Sequence, residues 1–181
     1  MWAFSDESER ANKLIMAVVF ASPSEVHDAR VAMRGLLLPG QQRLHTSDES
    51  ARRRRALLDA VARIGGLDAV ALRLRRPKGA DRVACRRVLV EAAARLVLEH
   101  GATAWTLDDM PPAARNRDRN TIGHAVANLP TNPGRRLVYD HRSSRLEPML
   151  WHADLVAWAV GAGGDWYRRI APITEVRDVQ P

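Results

Sequence analysis

Carboxylates stand at four places where the sequence changes character. Asp6 and Glu7 follow a short apolar start. Asp48 and Glu49 open a helical pattern just after His45. Asp108 and Asp109 end an apolar run, and Asp154 lies inside the most apolar segment of the chain. Several carboxylates brought within a few ångströms cannot all stay ionised unless a cation joins them. Hard divalent ions, Mg²⁺ or Mn²⁺, prefer such all-oxygen sites. Two such ions can activate water and stabilise the leaving oxygen of a phosphodiester.

Taken singly, each position has a structural reading. Asp48 and Glu49 complement a helix N-terminus. Asp108 and Asp109 suit the start of a turn, and Asp6 and Glu7 suit a solvated loop. Asp154 is the most unusual, because its neighbours at helical spacing, Leu150, Trp151, Ala157 and Trp158, are all apolar. A charge on that face must be paired, hydrogen-bonded or bound to metal. Joint placement at the ends of elements favours a common site, since α/β sheets build their sites there. His45 and His152 could each assist proton transfer or serve as a structural imidazole.

The positioning elements follow from periodicity. Residues 2–4 read as a short strand stopped by the polar run 5–10, and the Ile/Val-rich residues 14–21 read as a buried strand, so the two predict an antiparallel hairpin. Ser22, Pro23 and Glu25 form a capping pattern for a helix ending at Pro39 and Gly40. A short strand is expected at 43–46, then a helix from Ser47 and Ser50 that Gly65 and Gly66 end. Residues 67–75 read as a half-exposed strand, 80–100 as a helix, 103–107 as a strand and 111–129 as a polar helix. A loop at 130–134, a strand at 136–139, an apolar helix at 148–160 and a short helix at 165–170 follow. Trp151, Trp158 and Trp166 are expected to pack that apolar helix. This order predicts one α/β domain over 1–173, with a sheet antiparallel at the start and parallel later, and a loose tail over 174–181.

The 181 residues carry 28 basic against 21 acidic groups, a formal charge of +7, and Lys13 and Lys78 are the only lysines. Such a balance attracts polyanions without specificity. The arginine block Arg52, Arg53, Arg54 and Arg55 spans more than one helical turn, so its members cannot share one direction. Together with Arg75 and Arg76 it supplies candidates for phosphate contact. Cys85 is the lone cysteine, which excludes an intrachain disulfide and a cysteine-cluster metal site. No segment reads as a signal peptide or membrane span, so a cytoplasmic setting is expected.

Phe4-Ser5-Asp6-Glu7-Ser8 near the start and Trp151-His152-Ala153-Asp154-Leu155-Val156-Ala157 near the end resemble motifs of an uncharacterised ribonuclease-H-like family, domain of unknown function number 3800. His45 with Glu49, and Leu107 with Asp108, are similar in order to its intervening motifs. Glu9 stands where the family carries Gly, and the spacing of His45 and Glu49 departs from the common pattern. The resemblance implies a ribonuclease-H-like mixed sheet flanked by helices. It also implies a metal-dependent nuclease with Mg²⁺ or Mn²⁺ at Asp6, Glu49, Asp108 and Asp154, acting on RNA or DNA. Asp109 and Asp48 remain alternatives to their neighbours. Two rival classes are a non-catalytic nucleic-acid-binding or regulatory protein on the same fold, and a protein-partner subunit of a defence or toxin system.

Overall fold

The polar run after Phe4 does not stop the first strand. In the computed structural model, which describes residues 1–127 and 137–180, β1 runs Trp2–Arg10 and pairs antiparallel with β2, Lys13–Ala21. Glu7 and Glu9 remain in the strand because arginines compensate them. Arg86 bonds Glu7, Arg82 bonds both, and Arg76 bonds Glu9. Composition alone marks this stretch as loop, and the partners that overturn that reading lie about seventy residues away. Ala11 turns the hairpin at φ 51°, a left-handed conformation that a residue with Cβ adopts at a cost of roughly 1–2 kcal/mol.

Next come α1 (Val26–Arg34), α2 (Ala51–Val61), β3 (Leu67–Arg75), α3 (Arg82–Glu99), β4 (Ala104–Asp108) and α4 (Pro112–Ala127). They are followed by β5 (Val138–Arg142), α5 (Met149–Ala162), α6 (Gly164–Ile170) and β6 (Thr174–Val179). The six strands of the described residues lie in the order β5-β4-β1-β2-β3-β6. The β1–β2 and β2–β3 pairs are antiparallel, whereas β1–β4, β4–β5 and β3–β6 are parallel. This is the expected change from antiparallel to parallel.

Several local expectations change. Helix α1 ends at Arg34, short of Pro39, and its capping is half made: Ser22 donates through its backbone N–H (3.1 Å) and hydroxyl (2.6 Å) to Glu25. No strand forms at 43–46; the chain runs there as a loop into a single 3-10 turn, Thr46–Asp48. Ser50, not Ser47, caps α2, accepting from Arg53 N–H at 3.2 Å. The tail from Thr174 is not loose, because β3 offers it an open edge and β6 fills that edge in parallel register. The expected loop at 130–134 lies outside the described residues, as does Arg136 of the expected strand.

Strand alternation divides the core in two. Phe4, Ile15, Ala17, Val19, Ala69 and Ala71 face a layer made of α1, α2, α5 and α6. Ala3, Leu14, Met16, Val18, Val70 and Leu72 face α3 and α4. Every residue from Met149 to Gly161 of α5 is buried, because the sheet covers one side of this helix and α1, α2 and α6 the other. Trp158 and Trp166 pack edge to face with centroids 5.1 Å apart, and Trp151 Nε1–H donates to the Ser144 carbonyl. Cys85 is buried on α3. Among the described residues no helix is long and apolar enough to cross a membrane.

Candidate carboxylate site

The sheet register brings two of the sequence-predicted aspartates side by side. Strand β1 pairs with β4 from Trp2 to Ser5, and Ser5 stands opposite Leu107. Asp6 and Asp108 are the next residues on each strand, where the pairing ends. Trp105 and Leu107 point into the α3 layer, as do Ala3 and Ser5, so Asp6 and Asp108 face the α5 layer. Trp105 Nε1–H donates to Ser5 Oγ at 2.9 Å and ties the two strands together just before they part. A notch of about 20 Å³, room for one small species, opens there beside Asp6, Glu7, Arg86 and Asp108.

Asp154 comes from α5, which packs on β1. The residue is 6% exposed, and its Oδ2 accepts the Thr46 backbone N–H at 2.7 Å, the Thr46 hydroxyl at 2.9 Å and a contact with His45 Nδ1 at 3.3 Å. No arginine neutralises it among the described residues. The missed partner here is Thr46, whose position in an irregular loop gives no periodic signal.

Three carboxylates therefore share one field. Burial raises the Asp6 pKa well above its usual value, and the negative charges of Asp154 and Asp108 raise it further against the Glu7 N–H that lowers it. Burial also raises Asp108; the N–H groups of Asp109 and Ser144 oppose this, and the charge of Asp154 adds to it. His45 is shifted up by its hydrogen bond to Asp154, which outweighs its partial burial. Mutual repulsion of this kind is what a bound cation relieves. No three His, Cys, Asp or Glu side chains among the described residues stand at ligand spacing around one point.

Glu49 has other partners. Gln41 Nε2–H donates to it at 2.7 Å and Arg53 Nε lies 4.0 Å away, and it is not among the charges that shift Asp6 or Asp108. Asp109 is exposed, with Arg115 at 3.5 Å, and Asp48 is exposed on the 3-10 turn. His152 is fully buried, and neither ring nitrogen has a partner among the described residues.

The arginine block divides as helical geometry requires. Arg53 donates to the Leu36 carbonyl, and Arg54 donates to the carbonyls of Thr46 and Ser47, each at 2.7 Å. Arg54 also stacks 4.8 Å from the centroid of the Trp158 ring, with Arg10 at 4.5 Å, and Arg55 lies 5.0 Å from the Trp166 ring. Arg52 and Arg75 are exposed, and Arg76 pairs with Glu9 at 2.8 Å. Much of the block thus holds the loop that carries Thr46.

A second charged cluster occupies the opposite face of β1. Arg86 Nε–H donates to Glu7 at 2.7 Å and its Nη1 to Asp118, while His141 Nε2 contacts Asp118 at 2.9 Å. Asp118 is 2% exposed. Its signal was present in the sequence, as an Asp one helical turn from Ala114 and Ile122 on the buried face of α4.

No family model matches this chain, and no curated protein matches it. Among solved structures, it is similar to one of the PCNA:RNase HII complex from Archaeoglobus fulgidus, with a TM-score of 0.55, 20% identity, and coverage of 96% of this chain and 73% of that one. The chain has a ribonuclease-H-like α/β fold.

Proposed function

We propose that this protein is a metal-dependent nuclease of the ribonuclease-H-like family numbered 3800 among domains of unknown function. Asp6, Asp108 and Asp154 would hold Mg²⁺ or Mn²⁺. The observation that carries this reading is the placement of Asp6 and Asp108 side by side where β1 and β4 part, with the Asp154 charge of α5 close enough to raise the pKa of both. The donor set is all oxygen, which fits a hard cation. When bound, the metal supplies an activated water and stabilises the leaving oxygen of a phosphodiester. Thr46 and His45 orient the Asp154 carboxylate through Oδ2. Glu49 would become a fourth ligand only by leaving Gln41 and Arg53. Exposed arginines such as Arg52 and Arg75, with the net charge of +7, favour an RNA or DNA substrate. The single buried Cys85 fits a reducing, cytoplasmic setting.

The test is cleavage of labelled RNA, DNA and RNA–DNA hybrid with Mg²⁺ or Mn²⁺ and with chelator. Asp154→Asn keeps an oxygen for the Thr46 donors, so it is expected to fold while losing activity by at least about a hundredfold. Cleavage that survives chelation or this substitution removes the metal mechanism. A second reading, a nucleic-acid-binding protein without turnover, is favoured by the hydrogen bond that Glu49 makes to Gln41. It predicts salt-steep binding and no cleavage under any divalent ion.

A further inference from the structure

On the face of the sheet away from Asp154, α3 and α4 enclose a cleft of about 470 Å³. That is the size of a small-molecule site. The buried Arg86–Asp118 pair crosses between the two helices and sets their level. Arg87 and Arg117 are the adjoining residues on each helix, and both are exposed and line the cleft.

The other charges of the cleft are already balanced. Arg82 pairs with Glu7 and Glu9, Arg86 with Glu7 and Asp118, and Glu91 with Arg95. Asp81 accepts from the N–H groups of Val83 and Ala84 as the cap of α3. Arg87 and Arg117 have no ion pair among the described residues. Two uncompensated guanidinium groups at one level of one cleft match a group with two negative charges and several acceptor oxygens, which describes a phosphate monoester. Val83, 44% exposed, and Met110 offer an apolar wall toward the helix N-termini. Asn120 supplies hydrogen-bonding groups for a sugar, and the Thr121 hydroxyl, which donates to the Arg117 carbonyl at 2.9 Å, can accept one more. Arg86 and Met110 also line the notch beside Asp6 and Asp108, so the cleft adjoins the carboxylate end of the sheet.

We propose that the α3–α4 cleft binds a nucleotide unit, its phosphate held between Arg87 and Arg117 and its base against the Val83 and Met110 wall. The unit is a free mononucleotide or the phosphorylated end of a strand. An acidic peptide fits less well, because the cleft accommodates one compact group and offers an apolar wall beside the cations.

The experiment is calorimetric titration of the full chain with adenosine 5′-monophosphate in chelator, so that a failed metal site does not affect the result. Saturable binding is expected, with adenosine and inorganic phosphate each weaker. Arg87→Gln and Arg117→Gln should each weaken it by about tenfold, with circular dichroism unchanged, since both side chains are exposed. Asp154→Asn should bind as wild type does. A 5′-phosphorylated oligonucleotide that competes, while its dephosphorylated form does not, assigns the source to a strand end; failure of both to compete assigns it to free mononucleotide. The proposal is overturned by absence of saturable binding at millimolar nucleotide, by full affinity in the Arg87→Gln/Arg117→Gln double variant, or by equal displacement with a hexaglutamate peptide.

Discussion

Thr46 and Asp154, 108 residues apart in sequence, are joined by two hydrogen bonds onto one carboxylate oxygen: the Thr46 backbone N–H at 2.7 Å and its hydroxyl at 2.9 Å both reach Oδ2. The pair lets an aspartate stand in the most apolar helix of the chain without an arginine. It also fixes the loop between α1 and α2 against α5, because Arg54 anchors the Thr46 carbonyl in turn.

Thr46→Val tests this relationship. The substitution keeps the backbone donor and the shape of the side chain but removes the hydroxyl. A hydrogen bond to a charged group contributes roughly 1.5–3 kcal/mol. A loss of about 1.5 kcal/mol in urea unfolding is expected, the low end because the N–H bond survives. A change below about 0.5 kcal/mol, the ordinary range of surface substitutions, means that the hydroxyl does not serve the carboxylate.

Asp6→Asn separates electrostatic strain from structural need. The folded-state pKa of Asp6 is raised, so its favourable contribution is full below the unfolded-state value near 3.8 and is lost as pH rises through the folded value. At neutral pH without divalent ions the folded protein bears the cost of burying this acid beside Asp154 and Asp108, and Asp6→Asn is expected to raise Tm. Mn²⁺ should raise the Tm of the wild type and not that of the variant. Equal Tm values at pH 7 in chelator would show that Asp6 is relieved by solvent rather than strained by Asp154 and Asp108.

Elements with strong local periodicity were legible in the sequence. The strand read at 67–75 matches β3, and the apolar segment around Asp154 is α5. What escaped depends on partners distant along the chain. The Glu7 and Glu9 stretch is a strand because α3 supplies Arg82 and Arg86, and the tail is a strand because β3 has a free edge. At the site, the order of Asp6, Asp108 and Asp154 along the chain was readable, and the register of β1 on β4 gives the proximity of Asp6 and Asp108 a physical basis. Glu49 shows the limit: its spacing from His45 carries no information about Gln41 and Arg53, its partners in the fold.

His152 predicts an acid-sensitive stability. Complete burial lowers its pKa from 6.5 to about 4. A depressed histidine leaves stability unaffected above about 6.5, where both states are neutral, and costs stability as pH falls toward 4, where the unfolded chain takes up the proton first. The full loss is about 3 kcal/mol. His152→Leu, which also removes two unpartnered buried nitrogens, should abolish that share of the loss and be neutral or stabilising at pH 7. Equilibrium unfolding of both proteins from pH 7 to pH 4 measures it, and parallel curves would contradict the buried neutral imidazole.

Arg86 is the central cation on the other face of the sheet, and its removal should cost the most. Burial pushes the Asp118 pKa up, yet hydrogen bonds from His141 and Arg86 outweigh that effect and hold it below its ordinary value. This contribution is present above the unfolded-state pKa near 3.8 and is lost as pH falls through the lower folded value. Arg86→Met keeps the apolar packing but leaves Glu7 with Arg82 alone and Asp118 with His141 alone, and breaking a buried pair costs about 3–5 kcal/mol. Adding Asp118→Asn removes the more buried of these two charges, so the double variant should be less unstable than the sum of the single changes, with a coupling of about 1–3 kcal/mol in denaturant unfolding. Strict additivity would mean that solvent screens the pair, whereas strong coupling would show that the α3–α4 cleft stands on a buried ionic floor.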